Sequence, residues 1–246
     1  MSSVVPKPAS TVVLVRNAEG GPEVLLLRRP NRGFAAGAWV FPGGMVDADD
    51  YRLEPPSAEE PALWASTLRM NDPPLAWAHV VAAVRETWEE TGLLLGEATA
   101  SMATVQQARQ RLLDGREPMS RIAPAIGFRL ATLLYLSRWI TPESAPRRYD
   151  TRFFVVRWAE GQEIVPAAAE VEQAIWTSPA RALERVEGGE LRMMTPTRYT
   201  LHALTRFRSA EEMLARLSTE TPPSYLPRMR TTPEGVIIDV HSLDPG

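Results

Sequence analysis

The nine residues Arg85-Glu86-Thr87-Trp88-Glu89-Glu90-Thr91-Gly92-Leu93 constrain this chain more than any other stretch. Glu86, Glu89 and Glu90 stand at i, i+3 and i+4, the spacing that gathers side chains on one face of an α-helix. Three carboxylates stacked there repel one another, so a helix carrying them needs a positive counterpart. Arg85 reaches Glu89 at i, i+4 and neutralises only part of the cluster. Gly92 supplies the left-handed residue that ends a helix at little cost, and Leu93-Leu94-Leu95 resumes an apolar run. The pattern predicts a helix from about Trp77 to Thr91 with a divalent metal held on its carboxylate face.

Composition decides which metal. The chain has no cysteine, which removes thiolate catalysis, zinc-thiolate sites, iron-sulfur clusters and disulfides. Its three histidines, His79, His202 and His241, share no ligand spacing, which argues against a histidine-based zinc site. A site built from oxygen alone selects Mg2+ or Mn2+. A net charge of -3 with no Lys/Arg block argues against nucleic acid as a partner. The opening MSSVVPKPAS lacks the apolar core of a secretory signal. No apolar run approaches the roughly 18–20 residues that cross a bilayer, and Ser242–Gly246 is no peroxisomal address. The expectation is a soluble, cytoplasmic protein.

Around the acidic helix the pattern is mixed α/β. Residues 11–16 and 23–29 read as a hairpin, and Trp39–Phe41 as a short strand running into Pro42-Gly43-Gly44. Between Asp47 and about Pro74 the character changes to acidic and proline-rich, with a helix expected at 57–69 behind a Ser57/Glu60 capping box. This stretch, about 51–76, reads as a helical insertion too short for a core of its own. Helices are expected at 101–114 and near 119–126, and strands at 130–136 and 152–158. A helix follows Ser178-Pro179, two more span 196–207 and 209–217, and 227–240 reads as a hairpin about a Pro-Glu-Gly turn. One elaborated domain over 1–246, with C-terminal helices and a tail from about 196, accommodates 246 residues.

Gly44 to Asp50 and Arg85 to Leu93 together resemble the Nudix box, G-x5-E-x7-R-E-U-x-E-E-x-G-U with U apolar. Three positions depart from it. Asp50 stands where the first glutamate belongs, Thr87 replaces an apolar residue, and residues 51–84 occupy a gap that the pattern fills with about seven. An interrupted box of this kind resembles the coenzyme A diphosphatase-like branch of the superfamily (nudix motif 19 type). Residues 25–44, 139–156 and 193–204 are similar to that branch as well.

The resemblance implies a Nudix-type α/β/α sandwich with a mixed β-sheet. It also implies hydrolysis of a nucleoside diphosphate linked to another moiety, best matched by coenzyme A or acyl-CoA. ADP-ribose, NADH or a non-catalytic nucleotide-binding regulatory role are the alternatives. Carried over by position, Glu86 and Glu90 are metal ligands, Glu89 is a ligand or the general base, and the Gly44 carbonyl completes the shell. Arg85 orients Glu89, and Glu170 supplies a further carboxylate, with Glu163 and Glu172 as competitors. Arg147, Arg148 and Arg152 are candidate contacts to substrate phosphates, with Asp150 orienting one of them. Asp50 is expected on the insertion as a surface acid, His79 as structural, and Trp139 and Trp176 as core residues. Relatives that pair through their sheets or N-terminal strands make a homodimer compatible with this picture.

Overall fold

The computed structural model describes residues 4–33, 35–158, 161–232, 235–240 and 242–243. The first half contains β1 (Lys7–Ala18), β2 (Gly21–Arg28), β3 (Trp39–Val40), β4 (Gly43–Met45), a 3-10 turn at Asp50–Arg52, α1 (Glu60–Thr67) and α2 (Pro73–Thr91). Next come β5 (Gly96–Ala98), α3 (Met102–Leu113), α4 (Met119–Ala125), β6 (Phe128–Leu130), β7 (Leu134–Ile140), β8 (Tyr149–Arg157) and β9 (Gln173–Thr177). The C-terminal part holds α5 (Pro179–Glu187), α6 (Thr195–Leu204), α7 (Ala210–Leu217), β10 (Ser224–Tyr225), β11 (Arg228–Thr232) and β12 (Gly235–Asp239).

Successive residues of a strand face opposite sides of a sheet, and here both sides are apolar. In β1, Val12 and Leu14 enter one buried cluster and Val13 and Val15 the other. Leu25 and Leu27 alternate with Val24 and Leu26 in β2, as Phe154 and Val156 do with Phe153 and Val155 in β8. The first cluster is roofed by α1 to α4 and the second by α5 to α7, which makes the three-layer α/β/α arrangement. The sheet is mixed. β1 runs parallel to β8 through nine residue pairs, while its other edge is shared by β2 at one end and β4 at the other. That fork wedges β3 and β4 between β1 and β2 and places Gly43 and Gly44 in a gap beneath α2. Among the described residues no helix is long and apolar enough to cross a membrane.

Several element boundaries differ from the sequence expectation. α2 starts at Pro73, four residues early, because Asp72 caps it by accepting a hydrogen bond from Leu75 N at 3.0 Å. Proline at the first helical position lacks only an amide hydrogen that the helix does not use there. The Ser57/Glu60 box is not formed: α1 begins after Glu59 with no side-chain cap on its first amides. The strand expected at 130–136 is β7 at 134–140, where pairing with β8 sets the register. The insertion is also less detached than its length suggests. Leu53, Ala65 and Leu68 lie in the main core, Trp64 meets Phe154 edge-on at 6.0 Å, and Trp77 Nε1 donates to Leu53 O at 2.6 Å. In the C-terminal hairpin β11 pairs with β12. The Pro233-Glu234 turn expected between them, His241 and the last three residues lie outside the described residues.

Candidate active site

α2 is an alanine-rich helix packed hard on the sheet, and its final turns bring the acidic residues over the glycine fork. Thr87 stays buried at the box's apolar position because its hydroxyl donates to Ala83 O at 2.7 Å, so the core receives no unsatisfied donor. Gly92 closes the helix at φ +79° with its amide on Trp88 O. Arg85, Glu86, Glu89 and Glu90 then surround a narrow space whose floor is β4.

Arg85 is the hub of that space. Its guanidinium grips Asp50 with two parallel bonds, Nε to Oδ1 at 2.8 Å and Nη2 to Oδ2 at 2.9 Å. Nη1 reaches Glu86 Oε1 at 2.8 Å and Glu89 Oε2 at 2.9 Å, and Nη2 also donates to Met45 O at 2.9 Å. Asp50 is corrected by this geometry. It is 0% exposed rather than a surface acid, and its Oδ2 also accepts from Asp47 N at 2.7 Å. One methylene shorter than the glutamate of the box pattern, it still spans to Arg85, so the split box is closed in space although its halves are far apart in sequence.

Glu86 and Glu90 lie deeper. Glu90 is 6% exposed, and its Oε2 accepts from Gly43 N at 2.9 Å. Glu86 lies over Gly44 so closely that a Cβ there would come within 2.3 Å of its carboxylate. At Gly43, φ +151°, a Cβ would stand 2.2 Å from Ser10 O and is excluded by backbone, whereas at Gly44 the Glu86 carboxylate would have to give way. Gly44→Ala is therefore expected to displace Glu86 and lower turnover on the order of 100-fold, since misplacing a reacting group by about 1 Å has that effect. The check is kcat with a fold-retaining circular dichroism spectrum; unchanged kcat would contradict it.

Burial, followed by the neighbouring charges, sets the protonation of these groups. Burial pushes Glu86 up to about 7, against the pull of Arg85 and with the push of Glu89 and Glu170. Burial and then the charge of Glu86 push Glu90 up to about 8, while the Gly43 amide and Arg29 pull it down. Glu89 and Asp50 are also raised, again chiefly by burial and against Arg85. For Arg85 itself burial opposes the charge, but the Asp50 bonds and the fields of Glu86, Asp50 and Glu89 outweigh it and hold the guanidinium ionised. Such mutual destabilisation of carboxylates is what a cation relieves.

The remaining sequence candidates divide. Glu170 faces the cluster closely enough to raise Glu86, Glu89 and Glu90. Its competitor Glu172 is occupied by Asn31 N at 3.3 Å and Arg28 at 3.7 Å. Glu163 is exposed. Two of the three arginines expected at the substrate phosphates are engaged elsewhere. Arg148 is buried and donates to Thr141 O at 3.1 Å and Val4 O at 2.8 Å, tying the N-terminal segment to the sheet. Arg152 is 2% exposed beneath α2, where it pairs with Asp150, which also holds Arg138 by two bonds at 2.9 and 2.7 Å. Arg147 is exposed. His79 belongs to the same core: burial and then Arg152 push it down to about 4, and Ser10 Oγ lies 3.1 Å from its Nδ1. Trp139 is 4% exposed and Trp176 half-buried against Trp158, as core residues are.

Sequence reasoning missed Arg29 and Arg109. Arg29 acts electrostatically on Glu90, and its buried Nε has no hydrogen-bond partner among the described residues. Arg109, on α3, bonds the carbonyls that end α2. Nothing in their local pattern sets them apart from the other arginines.

Among the described residues no three acidic or histidine side chains converge in metal-coordinating geometry, since Glu86 and Glu89 are turned onto Arg85 and Glu90 onto Gly43. The donor set nonetheless fits a hard cation. It is all oxygen, it is crowded enough to hold protons near neutrality, and it is bordered by a backbone with no room for a side chain.

Comparison with known proteins follows the same lines. The family described as the NUDT19 Nudix domain matches residues 52–204, which includes α2 but not the glycine fork. The acyl-coenzyme A diphosphatase NUDT19 of Gallus gallus is 27% identical over 265 residues, spanning 84% of this chain and 70% of that protein. Its Homo sapiens counterpart is 27% identical over 266 residues, spanning 89% and 71%. The crystal structure of a NUDIX hydrolase from Alicyclobacillus acidocaldarius superposes with a TM-score of 0.70 at 29% identity, covering 89% of this chain and 99% of that one.

Proposed function

The chain belongs to the NUDT19 Nudix family, and on that premise we propose that this diphosphohydrolase cleaves coenzyme A or acyl-CoA. The family establishes the enzyme class and a small-molecule diphosphate substrate. The choice of coenzyme A rests on the two relatives named acyl-coenzyme A diphosphatases, each aligned over more than four-fifths of this chain.

Nudix hydrolases work with divalent metal, and the oxygen donors here favour Mg2+ or Mn2+. Bound at this face, the ion supplies charge neutralisation for the diphosphate and lowers the pKa of a coordinated water. Glu86 and Glu90 are assigned as its ligands, with the Gly44 carbonyl beside them. Both are raised by burial and by like charge, so each gains when a cation replaces its proton. Glu89 is more open, its side chain 19% exposed, which suits it to take a proton from the attacking water or to complete the ligand set. Arg85 restrains Glu89 and is itself restrained by Asp50. Glu170 adds negative potential from the facing loop. Arg29 offers a cation beside Glu90 toward which a phosphate can turn. A cytoplasmic setting, a homodimer and the lack of a nucleic-acid partner belong to the same proposal, supported for nucleic acid by the net charge of -3.

The experiment is incubation of the purified protein with coenzyme A, a medium-chain acyl-CoA, ADP-ribose and NADH in Mg2+ and in Mn2+, with products identified by mass. Formation of 3′,5′-ADP together with phosphopantetheine or its acyl form is expected. Turnover confined to ADP-ribose or NADH would replace the substrate assignment, and no turnover of any diphosphate would remove the enzymatic one.

A further inference from the structure

The last four carbonyls of an α-helix have no partner within it. In α2 they belong to Trp88, Glu89, Glu90 and Thr91, the segment that carries the acidic face. Gly92 N serves Trp88 O at 2.9 Å. The other partners come from two distant pieces of chain. Arg109 Nε donates to Trp88 O at 2.8 Å and its Nη2 to Glu89 O at 2.8 Å. Val165 N donates to Thr91 O at 2.7 Å and Ala167 N to Glu90 O at 3.1 Å. Arg109 Nη2 also bonds Val165 O at 2.6 Å, so one guanidinium joins the helix end to the loop beside it. Gly92 permits the approach: a Cβ there would stand 3.2 Å from the Val165 side chain and 3.3 Å from Arg109 Nη1.

That loop continues into Glu170. Ala167 O accepts from both Glu170 N and Val171 N at 2.9 Å, a tight turn that keeps Glu170 beside the end of α2, where its charge acts on Glu86, Glu89 and Glu90. Glu170 itself forms no ion pair or side-chain hydrogen bond among the described residues, so the backbone sets its place. The far end of the loop is fastened separately, by Glu172 N on Arg28 O at 2.9 Å and Arg32 on Ala169 O at 3.2 Å. The near end is held by Gln162 on the backbone of Leu94 at 3.0 and 3.3 Å and by the Val165 and Ala167 amides on α2, and Arg109 is the side chain that ties those amides' segment to the helix end.

We propose that Arg109 is a positioning residue of the reaction: by joining the end of α2 to residues 165–167 it holds Glu170 opposite Glu86, Glu89 and Glu90. This rests on the reading of Glu170 as a working carboxylate of the site. The positive charge also lies at the negative end of the helix, where it is favoured.

The test compares Arg109→Met, Arg109→Lys, Glu170→Gln and the Met/Gln double variant, with Gln106→Gly as a control that weakens α3 from its exposed face. Two quantities are read: kcat and KM with Mg2+, and Mn2+ affinity from the electron paramagnetic resonance of the free ion. Arg109→Met is expected to lower kcat or Mn2+ affinity by about 10- to 100-fold, as loss of a residue supporting metal ligands does. Arg109→Lys should recover part of the loss, and Gln106→Gly should show none of it. In the Glu170→Gln background, Arg109→Met should add less than about 2-fold, the limit for uncoupled error. A double variant whose losses multiply, or Arg109→Met behaving like Gln106→Gly, would overturn the proposal. Full activity and Mn2+ affinity in Glu170→Gln would remove both Glu170 and this role for Arg109. If no diphosphate is turned over, the Mn2+ measurements alone decide on Arg109 while the enzymatic reading fails separately.

Discussion

Glu90→Gln is expected to lower kcat on the order of 1,000-fold in Mg2+ while leaving the fold intact and raising thermal stability in the absence of metal. Glu90 is 6% exposed, and burial with the charge of Glu86 makes its ionised form costly. Glutamine keeps the shape and still accepts from Gly43 N, but it brings no charge to a cation. A carboxylate that destabilises the empty protein and serves the loaded one is a compromise of stability for function. The rate loss follows from removing charge where charge is neutralised in the reaction. Steady-state kinetics and a melting curve check both halves. Wild-type turnover in this variant would remove Glu90 from the mechanism, and a lower melting temperature would contradict the account of its burial.

The second large effect is expected from Asp50→Asn. Taking one partner from a buried ion pair leaves the other uncompensated, at a cost of about 3–5 kcal/mol. Arg85 keeps Glu86 and Glu89, but their bonds to it would then have to balance a guanidinium that is 6% exposed. For a chain of this size the loss corresponds to a fall in melting temperature of roughly 10 °C. Turnover should fall as well, because Arg85 would no longer be held in line to restrain Glu89. Asp47 offers the internal comparison. It lies 3.7 Å from Arg85 with a side chain 61% exposed, and exposed pairs contribute little. Asp47→Asn should change the melting temperature by no more than a degree or two. Equal behaviour of the two variants would mean that the bidentate contact carries no special weight.

The contrast between Asp50 and Glu86 shows how far the sequence reaches. The three glutamates and Gly92 are legible because helical periodicity alone puts them on one face and ends the helix. Asp50 is not, since its value lies in burial against Arg85, and 34 intervening residues (51–84) hide that contact. The insertion is visible as a change of composition, yet its apolar residues join the main core because α1 packs on α2, which no local pattern states. Asp72-Pro73 belongs by composition to the acidic, proline-rich stretch and is nonetheless the start of α2, which the Asp72 carboxylate caps. Arg148 and Arg152 fit a phosphate-binding description by residue type, but Arg148, just before β8, turns to backbone carbonyls and Arg152, within β8, to Asp150. Arg109 is one of two arginines in α3, and only the tertiary approach of α3 to the last turn of α2 distinguishes it.

The carboxylate face of α2 is expected to bind a divalent cation in place of protons. Calorimetric titration of the metal-free protein with Mn2+ at pH 7, in two buffers of different ionisation enthalpy, tests it most directly. With Glu86 raised to about 7 and Glu90 to about 8, part of the population holds protons at that pH, and a cation requires both groups ionised. Proton release on binding is expected at pH 7 and should fade above about pH 9, with Mn2+ affinity rising over the same interval. Mn2+ binding with no buffer-dependent heat at pH 7, or binding unchanged when Glu86 and Glu90 are both replaced by Gln, would contradict it.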